Sequence, residues 1–417
     1  MLIQFAVENF LSFDSREVID LRGTAVDAAH SPLLANVPGI GAVARVAALY
    51  GANASGKSNL LRAIAFGAGL AIRGKATAEL IAVPTFLLAS GTQTAPAVFE
   101  YLYTSGNDVY TYVIAVSAHR VERESLSKHV DGSDVDIFRR VANGGSTVSV
   151  VFGPVLVVSE ERRAFFGFVA EGTRPNQPFL AEAAARNATE LRGATGPLVQ
   201  YDAFAVVDAR RKQNPLLYED VLAREFAANE AKRRFVLDAI CNADTGIRGM
   251  SSVQTIVPQH QAAIARQFEA AAVAPSASAA AAADRAHTLA ALSAAQQPAY
   301  QLQFQHNATG ENGLPAFTIA DQSDGRLRLL ELADDIFDAP SAGDVLLYDE
   351  LERSLHPHLA RYVLQIFRES GKLGHSQLIF ATHAADLLDG DLVPGDGVWF
   401  VEKDAQGPPV PDRENLI

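Results

Sequence analysis

Apolar residues form short, strand-like runs through the first 150 residues of the chain. Leu2–Val7 alternates between the two faces of a strand, and Val46–Tyr50 is a continuous apolar run typical of a buried central strand. Residues 59–70 have a helical pattern. Strand patterns return from residue 97 to residue 151, with a turn at Ser105-Gly106-Asn107-Asp108, and predict a mostly antiparallel sheet.

The pattern changes near Pro178. A last strand of the first kind is predicted at Ser149–Val158, and residues 179–292 are then alanine-rich, helix-like and poor in strand signals. Residues 271–295 approach low complexity and predict either a plain surface helix or a linker. Strand and helix alternate afterwards, which predicts a parallel sheet. The predicted elements are strands at Tyr300–Phe304, Val345–Tyr348, Leu378–Ala381 and Val398–Val401, and helices at Arg326–Ala333 and Pro357–Glu369.

Composition narrows the class of protein. Of the 417 residues, 48% are hydrophobic and 20% are charged, which is the balance of a folded globular chain. The single cysteine, Cys241, excludes an internal disulfide and a cysteine metal cluster. No apolar run reaches about 18 residues and the N-terminus lacks a signal-peptide pattern, so we expect a cytoplasmic protein without a membrane partner. The net charge of −13 argues against a general affinity for nucleic acid but allows a local basic groove.

A glycine-bearing segment follows the apolar run that ends at residue 50. It reads Gly51-Ala52-Asn53-Ala54-Ser55-Gly56-Lys57-Ser58-Asn59. The glycines let consecutive amides point at an anion, and the following helix adds the positive end of its dipole. Lys57 can reach the β- and γ-phosphates of a nucleotide, and the Ser58 hydroxyl can join the shell of Mg²⁺. A glycine-rich turn is the alternative, but the strand before and the helix after favour a nucleotide site at residues 51 and 53–59.

Two later strands end in side chains that can take part in chemistry. One apolar run is followed by Asp349 and Glu350, and another by Thr382 and His383. Ligands of α/β sheets bind at the carboxyl ends of the strands. Asp349 is predicted to hold a magnesium-bound water and Glu350 to activate the attacking water, with an acidic helix cap as the alternative. Thr382-His383, with the histidine 33 residues after Glu350, is predicted to sense the γ-phosphate, with an ordinary surface or capped histidine as the alternative.

The segment Gln322-Ser323-Asp324-Gly325 opens one of the predicted helices. A serine at a helix N-cap explains this segment without any ligand. The sharper hypothesis is that Ser323 and Gly325 belong to a helix N-terminus that is offered to a nucleotide bound by another subunit.

Together these motifs resemble ABC-class ATPases of the group that contains RecF, the SMC heads and the OLD-family ATPases. The chain is most similar to the compact bacterial ATPases of antiphage systems such as Septu and PARIS. The residues that carry the resemblance are Phe5-x-Val7-x-Asn9-Phe10-x-Ser12-Phe13, the phosphate loop, Asp349-Glu350-Leu351-Glu352-Arg353-Ser354-Leu355-His356-Pro357 and Ala381-Thr382-His383. They lie at both ends of the chain, and the middle of the chain resembles the family in general character, without a shared motif.

The resemblance implies an α/β fold, namely an ABC-ATPase head with a mixed parallel sheet, an antiparallel β lobe and an α-helical insertion. It implies the N-terminal part of the head at 1–178, the helical insertion at 179–299 and the C-terminal part of the head at 300–417. Ser323-Asp324-Gly325 would be the signature motif, and Ser354-Leu355-His356 would be the D-loop. Two protomers, or a higher oligomer of such pairs, would sandwich ATP and Mg²⁺ between them.

Departures from the family refine this expectation. The signature lacks the paired glycines of transporters, and Leu351 replaces their proline, so a transporter subunit is disfavoured. Only 34 residues follow His383, too few for the nuclease domain of OLD proteins, so we expect a nuclease or toxin activity to come from a partner protein. The pattern does not fix the position of the Q-loop glutamine, for which Gln93 is the candidate.

We therefore expect a slow, Mg²⁺-dependent ATPase that acts as a dimeric switch. Closure of two heads on ATP would control a partner effector in bacterial antiphage defence. The alternative is a RecF-like repair ATPase in which Arg210-Arg211-Lys212 and Lys232-Arg233-Arg234 contact nucleic acid, although a solvated helix face explains the same residues. A small-molecule kinase built on the same loop is a distant third alternative, because no acceptor pocket is indicated.

Overall fold

The computed structural model describes most of the chain. The described residues are 1–23, 32–74, 80–142, 148–156, 159–198, 215–243, 245–255, 299–306, 317–339, 345–369, 376–403 and 409–412. The chain divides into two compact units. The first comprises Met1–Phe204, Ala339–Leu351 and Lys372–Ile417, and the second comprises Ala205–Asp338 and Glu352–Gly371. The division expected from the sequence, into segments 1–178, 179–299 and 300–417, remains a prediction.

A five-stranded sheet contains the strands that precede the predicted phosphate loop, Asp349 and His383. Its strands, from edge to edge, are β13 (Val345–Tyr348), β14 (Gln377–Ala381), β5 (Val46–Tyr50), β15 (Val398–Lys403) and β16 (Pro409–Asp412). The first four strands run parallel, and β16 runs antiparallel to β15. Every residue of β5 and β14 is buried, because helices and loops cover both faces of a parallel sheet and its strands are apolar throughout.

A seven-stranded antiparallel sheet forms the β lobe of the same unit. Its strands, in order, are β10 (Val148–Phe152), β9 (Ser133–Ala142), β8 (Val121–Val130), β7 (Asp108–Val116), β6 (Ala97–Ser105), β1 (Leu2–Glu8) and β2 (Glu17–Asp20). A separate two-stranded sheet joins β3 (Leu34–Val37) to β4 (Gly41–Ala44). The predicted α/β fold with a mostly parallel sheet and an antiparallel lobe is confirmed.

The two larger sheets share one hydrophobic core with helix α1 (Lys57–Arg73). The fully buried side chain of Gln377, at the start of β14, links the sheets. Its Oε1 accepts a hydrogen bond from the backbone N–H of Leu2 at 2.8 Å, and its Nε2 donates to the carbonyls of Leu2 and Ala44 at 2.9 and 2.7 Å. A buried amide that satisfies three main-chain groups fixes the parallel sheet against the lobe.

Two further helices pack on the β lobe, α2 (Glu160–Gly172) and α3 (Phe179–Ala185). Glu124 of β8 is fully buried and accepts hydrogen bonds from the backbone N–H groups of Phe179 and Leu180 at 2.6 and 3.0 Å. Those N–H groups have no partner inside the helix, so the carboxylate determines where α3 begins.

The second unit combines helices with a two-stranded sheet. Its helices are α4 (Pro215–Ala228), α5 (Glu230–Asn242), α6 (Asp324–Asp338) and α7 (Pro357–Glu369), and its strands are β11 (Ile247–Thr255) and β12 (Ala299–His306). Two carboxylates of α4 hold β12. Glu219 accepts from the N–H of Leu302 at 3.1 Å, and Asp220 accepts from the N–H of Tyr300 at 2.6 Å.

Two predictions about strands are corrected. β10 ends at Phe152 instead of continuing toward Val158, because Gly153 and Pro154 follow and proline has no N–H to donate. β11 lies in the segment that was expected to be poor in strands. Its pairing with β12, distant in sequence, supplies the hydrogen bonds that a local pattern cannot show.

The alanine-rich stretch 271–295 and the basic run at residues 210–212 lie outside the described residues. Among the helices that are described, none combines the length and the apolar character needed to cross a membrane.

Candidate nucleotide-binding site

The glycine-bearing segment leaves β5 and curls back before α1. Gly51, Ala54 and Gly56 have φ angles of 148°, 61° and 113°. This region of backbone conformation favours glycine and is rare for alanine. A Cβ atom on Gly51 would lie 2.3 Å from the carbonyl oxygen of Val401, so no side chain fits there. The segment therefore has the local backbone of an anion-binding loop at a helix N-terminus.

Two buried polar side chains belong to this loop. Lys57 is 5% exposed, and its Nζ donates to the carbonyl oxygens of Gly51 and Ala52 at 2.8 and 3.0 Å. Ser55 is 4% exposed, and its Oγ has no hydrogen-bond partner among the described residues. A buried hydroxyl without a partner is costly. A phosphate would satisfy this hydroxyl and accept charge-assisted bonds from the lysine, so the loop fits a nucleotide.

A hydrogen bond joins α1 to the end of β13. The Ser58 Oγ donates to the Asp349 Oδ1 at 2.9 Å, although the two residues are 291 positions apart in the chain. Hydroxyl and carboxylate oxygens are the ligands that Mg²⁺ prefers. The two residues predicted to hold magnesium are thus in contact, and their oxygens fit that ion.

Glu350 and His383 follow adjacent parallel strands. Tyr348 of β13 pairs with Phe380 of β14, and Ala381 of β14 pairs with Leu49 of β5, so the carboxyl ends of the three strands are level. Glu350 and His383 are both exposed at this edge, where the phosphate loop also begins. Glu350 has a φ angle of 51°, an uncommon conformation for a glutamate, and it turns the chain sharply after β13.

Thr382 lies directly before His383, with which it forms the predicted γ-phosphate sensor. Thr382 is fully buried, and its N–H donates to the carbonyl of Leu49 at 3.0 Å. Its Oγ1 accepts a hydrogen bond from the N–H of Ala384 at 3.0 Å. These two bonds fix the backbone on both sides of His383. This backbone-holding role was not predicted, because a small hydroxyl residue after an apolar run is too common to indicate it.

Asn59 is predicted to bind nucleotide, and its Nδ2 donates to the Oγ of Ser12 at 3.0 Å. Asn9, from the same N-terminal turn, is buried and holds a second loop. Its Nδ2 donates to the carbonyls of Thr92 and Ala95 at 2.7 and 2.9 Å. Gln93, the candidate Q-loop residue, is exposed on that loop. The sequence analysis used Asn9 only as a family marker and missed this supporting role.

The predicted signature residues lie at the start of α6 in the second unit. The Ser323 Oγ accepts a hydrogen bond from the N–H of Arg326 at 3.4 Å, and the Ser323 side chain is exposed. A Cβ atom on Gly325 would lie 2.7 Å from the carbonyl oxygen of Ser354, which has a φ angle of 63°. The predicted signature and the predicted D-loop are therefore in close contact within one unit, and glycine is required at that contact.

The basic run at residues 232–234 does not offer three free cations. Lys232 is 3% exposed, and its Nζ lies 2.7 Å from Glu225 Oε2, 3.0 Å from Asp334 Oδ1 and 2.7 Å from Asp338 Oδ2. Burial alone would lower the pKa of Lys232, but the carboxylates outweigh burial and raise the pKa, so the ammonium stays charged and is already neutralised. The hypothesis that Lys232 contacts nucleic-acid phosphates was wrong.

A comparison with protein families identifies the kind of chain. The family model described as "AAA domain, putative AbiEii toxin, Type IV TA system" matches residues 46–170 and 217–389, more than half of the chain. The matched ranges include the phosphate loop, the Ser323–Gly325 segment, the Asp349–Glu350 pair and His383. No curated protein matches the chain.

Solved structures similar to the chain include heads of SMC proteins. An SMC head bound to the C-winged helix domain of ScpA is 15% identical with a TM-score of 0.43, over 100% of this chain and 98% of that chain. The SMC head domain from Thermotoga maritima is 12% identical with a TM-score of 0.40, over 100% and 99%. An SMC head with an extended coiled coil, bound to the C-terminal domain of ScpA and derived from Pyrococcus furiosus, is 14% identical with a TM-score of 0.40, over 99% and 96%. The family match shows that the chain belongs to the P-loop ATPase family described as AAA domain, putative AbiEii toxin, Type IV TA system.

Proposed function

We propose that the chain binds and hydrolyses ATP with Mg²⁺ and acts as a slow dimeric switch that controls a partner effector. The observation that carries this proposal is the 2.9 Å hydrogen bond between Ser58 and Asp349. It joins the anion-binding loop to the acidic end of the neighbouring strands. A loop that only formed a turn would have no reason to meet that carboxylate.

Each residue of the site has a distinct task in this proposal. The amides of residues 51–59 and the ammonium of Lys57 would hold the phosphates, while Ser58 and Asp349 would hold the metal and its water. Bound Mg²⁺ would supply charge neutralisation on the phosphates. Glu350 would orient the attacking water and take its proton, and His383 would contact the γ-phosphate.

The switch itself requires two copies of the chain. Ser323 is exposed and Gly325 packs on Ser354, so the two predicted dimer motifs form one surface of the second unit. We propose that this surface completes the nucleotide site of the opposite protomer in a two-fold symmetric pair. Contacts to the γ-phosphate would then favour the closed pair over separate heads, and hydrolysis would reverse that preference.

The effector in this proposal is a nuclease or toxin that the head pair holds or releases during antiphage defence. The description of the family, which names a putative toxin and a type IV toxin–antitoxin system, supports an effector of this class. The co-purifying partners of the native protein, identified by mass spectrometry, test this part of the proposal. Recovery of bound DNA without any nuclease or toxin would instead support a repair ATPase.

The Glu350→Gln variant tests the switch. It should bind ATP, fail to hydrolyse it and accumulate as a closed dimer, because the water loses its base while the binding residues stay in place. Light scattering with ATP and Mg²⁺ measures the mass, and calorimetry measures binding. A variant that binds ATP and yet never changes mass contradicts the dimeric switch.

A further inference from the structure

The ammonium of Lys232 joins three helices of the second unit. Lys232 lies on α5, Glu225 lies on α4, and Asp334 and Asp338 lie one turn apart on α6. All three carboxylates have an oxygen within 3.0 Å of the Lys232 Nζ. A lysine ammonium has three N–H groups and no acceptor, so this one side chain can donate to all three carboxylates.

The Lys232 ammonium is the counter-ion of this group of carboxylates. The oxygens of Glu225, Asp334 and Asp338 lie within 4.8 Å of one another, close enough to hold a metal ion. The Lys232 ammonium already stands among them as the counter-ion, so the group is an ion cluster and not a metal site. Without the ammonium, the two carboxylates of α6 would repel each other and the carboxylate of α4.

A second contact joins the same two helices. The rings of Phe235 on α5 and Phe337 on α6 have centroids 5.5 Å apart. Phe235 lies three residues after Lys232, and Phe337 lies between Asp334 and Asp338. The C-terminal half of α6 is therefore held to α5 by a charged contact and an aromatic contact.

The other end of α6 carries the predicted signature. Residues 324–338 form a continuous helix that begins directly after Ser323. At a rise of about 1.5 Å per residue, Asp334 lies about 15 Å along the helix from Asp324. A helix is stiff over this length, so fixing its C-terminal half sets the direction in which Ser323 and Gly325 face.

We propose that Lys232 is a positioning residue that holds α6 against α4 and α5, so that Ser323 and Gly325 face the nucleotide of the opposite protomer. This inference rests on the proposed ATP-closed dimer. It adds a route by which the helices before β11 act on the dimer surface, since any partner that shifts α5 also moves the attachment of the signature helix.

The test compares dimer formation with nucleotide binding in the full chain. In the Glu350→Gln background, Lys232→Met should raise the dimer dissociation constant at saturating ATP about 10-fold. The affinity of the dilute, separate chain for a fluorescent ATP analogue should stay unchanged, because the phosphate loop belongs to the other unit. A purely structural role would lower the amplitude of both measurements and would not separate them.

Two further variants keep the test decisive. Arg234→Met changes an exposed residue of the same helix and should leave the dimer unaffected. Glu225→Gln with Asp338→Asn changes only the two half-exposed carboxylates, keeps the buried Lys232–Asp334 pair and decides the matter if Lys232→Met does not fold.

The outcomes separate the two proposals. An unchanged dimer constant in the folded Lys232→Met variant, or in the double variant if Lys232→Met does not fold, overturns the positioning role and leaves the switch standing. If the Glu350→Gln background binds ATP and stays monomeric, the switch is wrong and the positioning role falls with it.

Discussion

Lys57 and Lys232 are both buried, at 5% and 3% exposure, but their surroundings give them different properties. Lys57 donates to two main-chain carbonyls at the start of a helix, in a loop whose Ser55 hydroxyl has no partner in the described part of the chain. Lys232 is surrounded by the carboxylates of three acidic residues, two of them on α6. A cation held by dipoles can still attract an anion, whereas a cation held by carboxylates serves the structure.

This comparison also shows why the spacing of residues carries more information than a run of like charges. The phosphate-loop spacing specifies a backbone conformation, and that conformation places Lys57 at a helix N-terminus. A basic run specifies only the charges of its own side chains. Helix geometry then points neighbouring residues in different directions, so Lys232 is buried while Arg234 is exposed.

The largest effect is expected from Lys232→Met on stability. Removing the ammonium leaves the largely buried Asp334 carboxylate, beside two half-exposed ones, without a counter-ion, and we expect the free energy of unfolding to fall by about 3 kcal/mol. Urea unfolding followed by circular dichroism measures the change, with Arg234→Met as the matched control on the same helix. Equal stability of the two variants would show that the cluster does not hold the second unit together.

Lys57→Met should affect ATP binding more than stability, in contrast to Lys232→Met. We expect ATP binding to weaken about 100-fold, because the charge-assisted bonds to the phosphates are lost. The free energy of unfolding should fall less than in Lys232→Met, since the bonds that Lys57 donates to Gly51 and Ala52 go to uncharged carbonyls. Calorimetric titration with ATP and Mg²⁺ measures the affinity. Binding of ATP as tight as in the unmodified protein would rule out residues 51–59 as the phosphate site.

Asp349→Asn tests the metal side of the same loop. Asparagine keeps an oxygen toward Ser58 but loses the negative charge, so we expect the Mg²⁺ concentration for half-maximal ATP hydrolysis to rise about 10-fold. The control is Asp386→Asn, an exposed carboxylate that follows His383 in the same unit. An unchanged Mg²⁺ requirement in Asp349→Asn would remove Asp349 from the metal shell.

The residues at the edge of the parallel sheet could be predicted because chain order carries the information. β5, β13 and residues 378–381 of β14 are continuous apolar runs, and each is followed at once by the side chains of the candidate site. Parallel strands bring their carboxyl ends to one edge, so the contact between Ser58 and Asp349 follows from recognising three strands. The positive φ angles at Ala54 and Glu350 were not predictable, because neither residue type signals that conformation.

The supporting residues could not be predicted, because their partners are distant in sequence. Asn9 holds a loop 83 to 87 positions later, and Lys232 reaches Asp338 across 106 positions. No spacing rule links such pairs, since tertiary packing alone brings them together. The same holds for β11, whose partner strand follows a long intervening segment. Local patterns thus predicted the strand ends and missed side chains such as Asn9, which holds a loop, and Lys232, which holds a helix.

The smallest effect is expected from the double substitution of Arg233 and Arg234 by alanine. Arg233 has a loose ion pair with Glu230 at 3.9 Å, and Arg234 is exposed, so the free energy of unfolding should change by less than about 0.5 kcal/mol. Fluorescence anisotropy with duplex DNA over a range of salt concentrations completes the test. Two lost phosphate contacts would reduce the slope of log K for DNA binding against log salt concentration by about 2. We expect no such change, because Lys232 is neutralised and cannot complete a basic patch. A clear reduction would instead favour a repair ATPase, in which the helix that anchors α6 also contacts DNA.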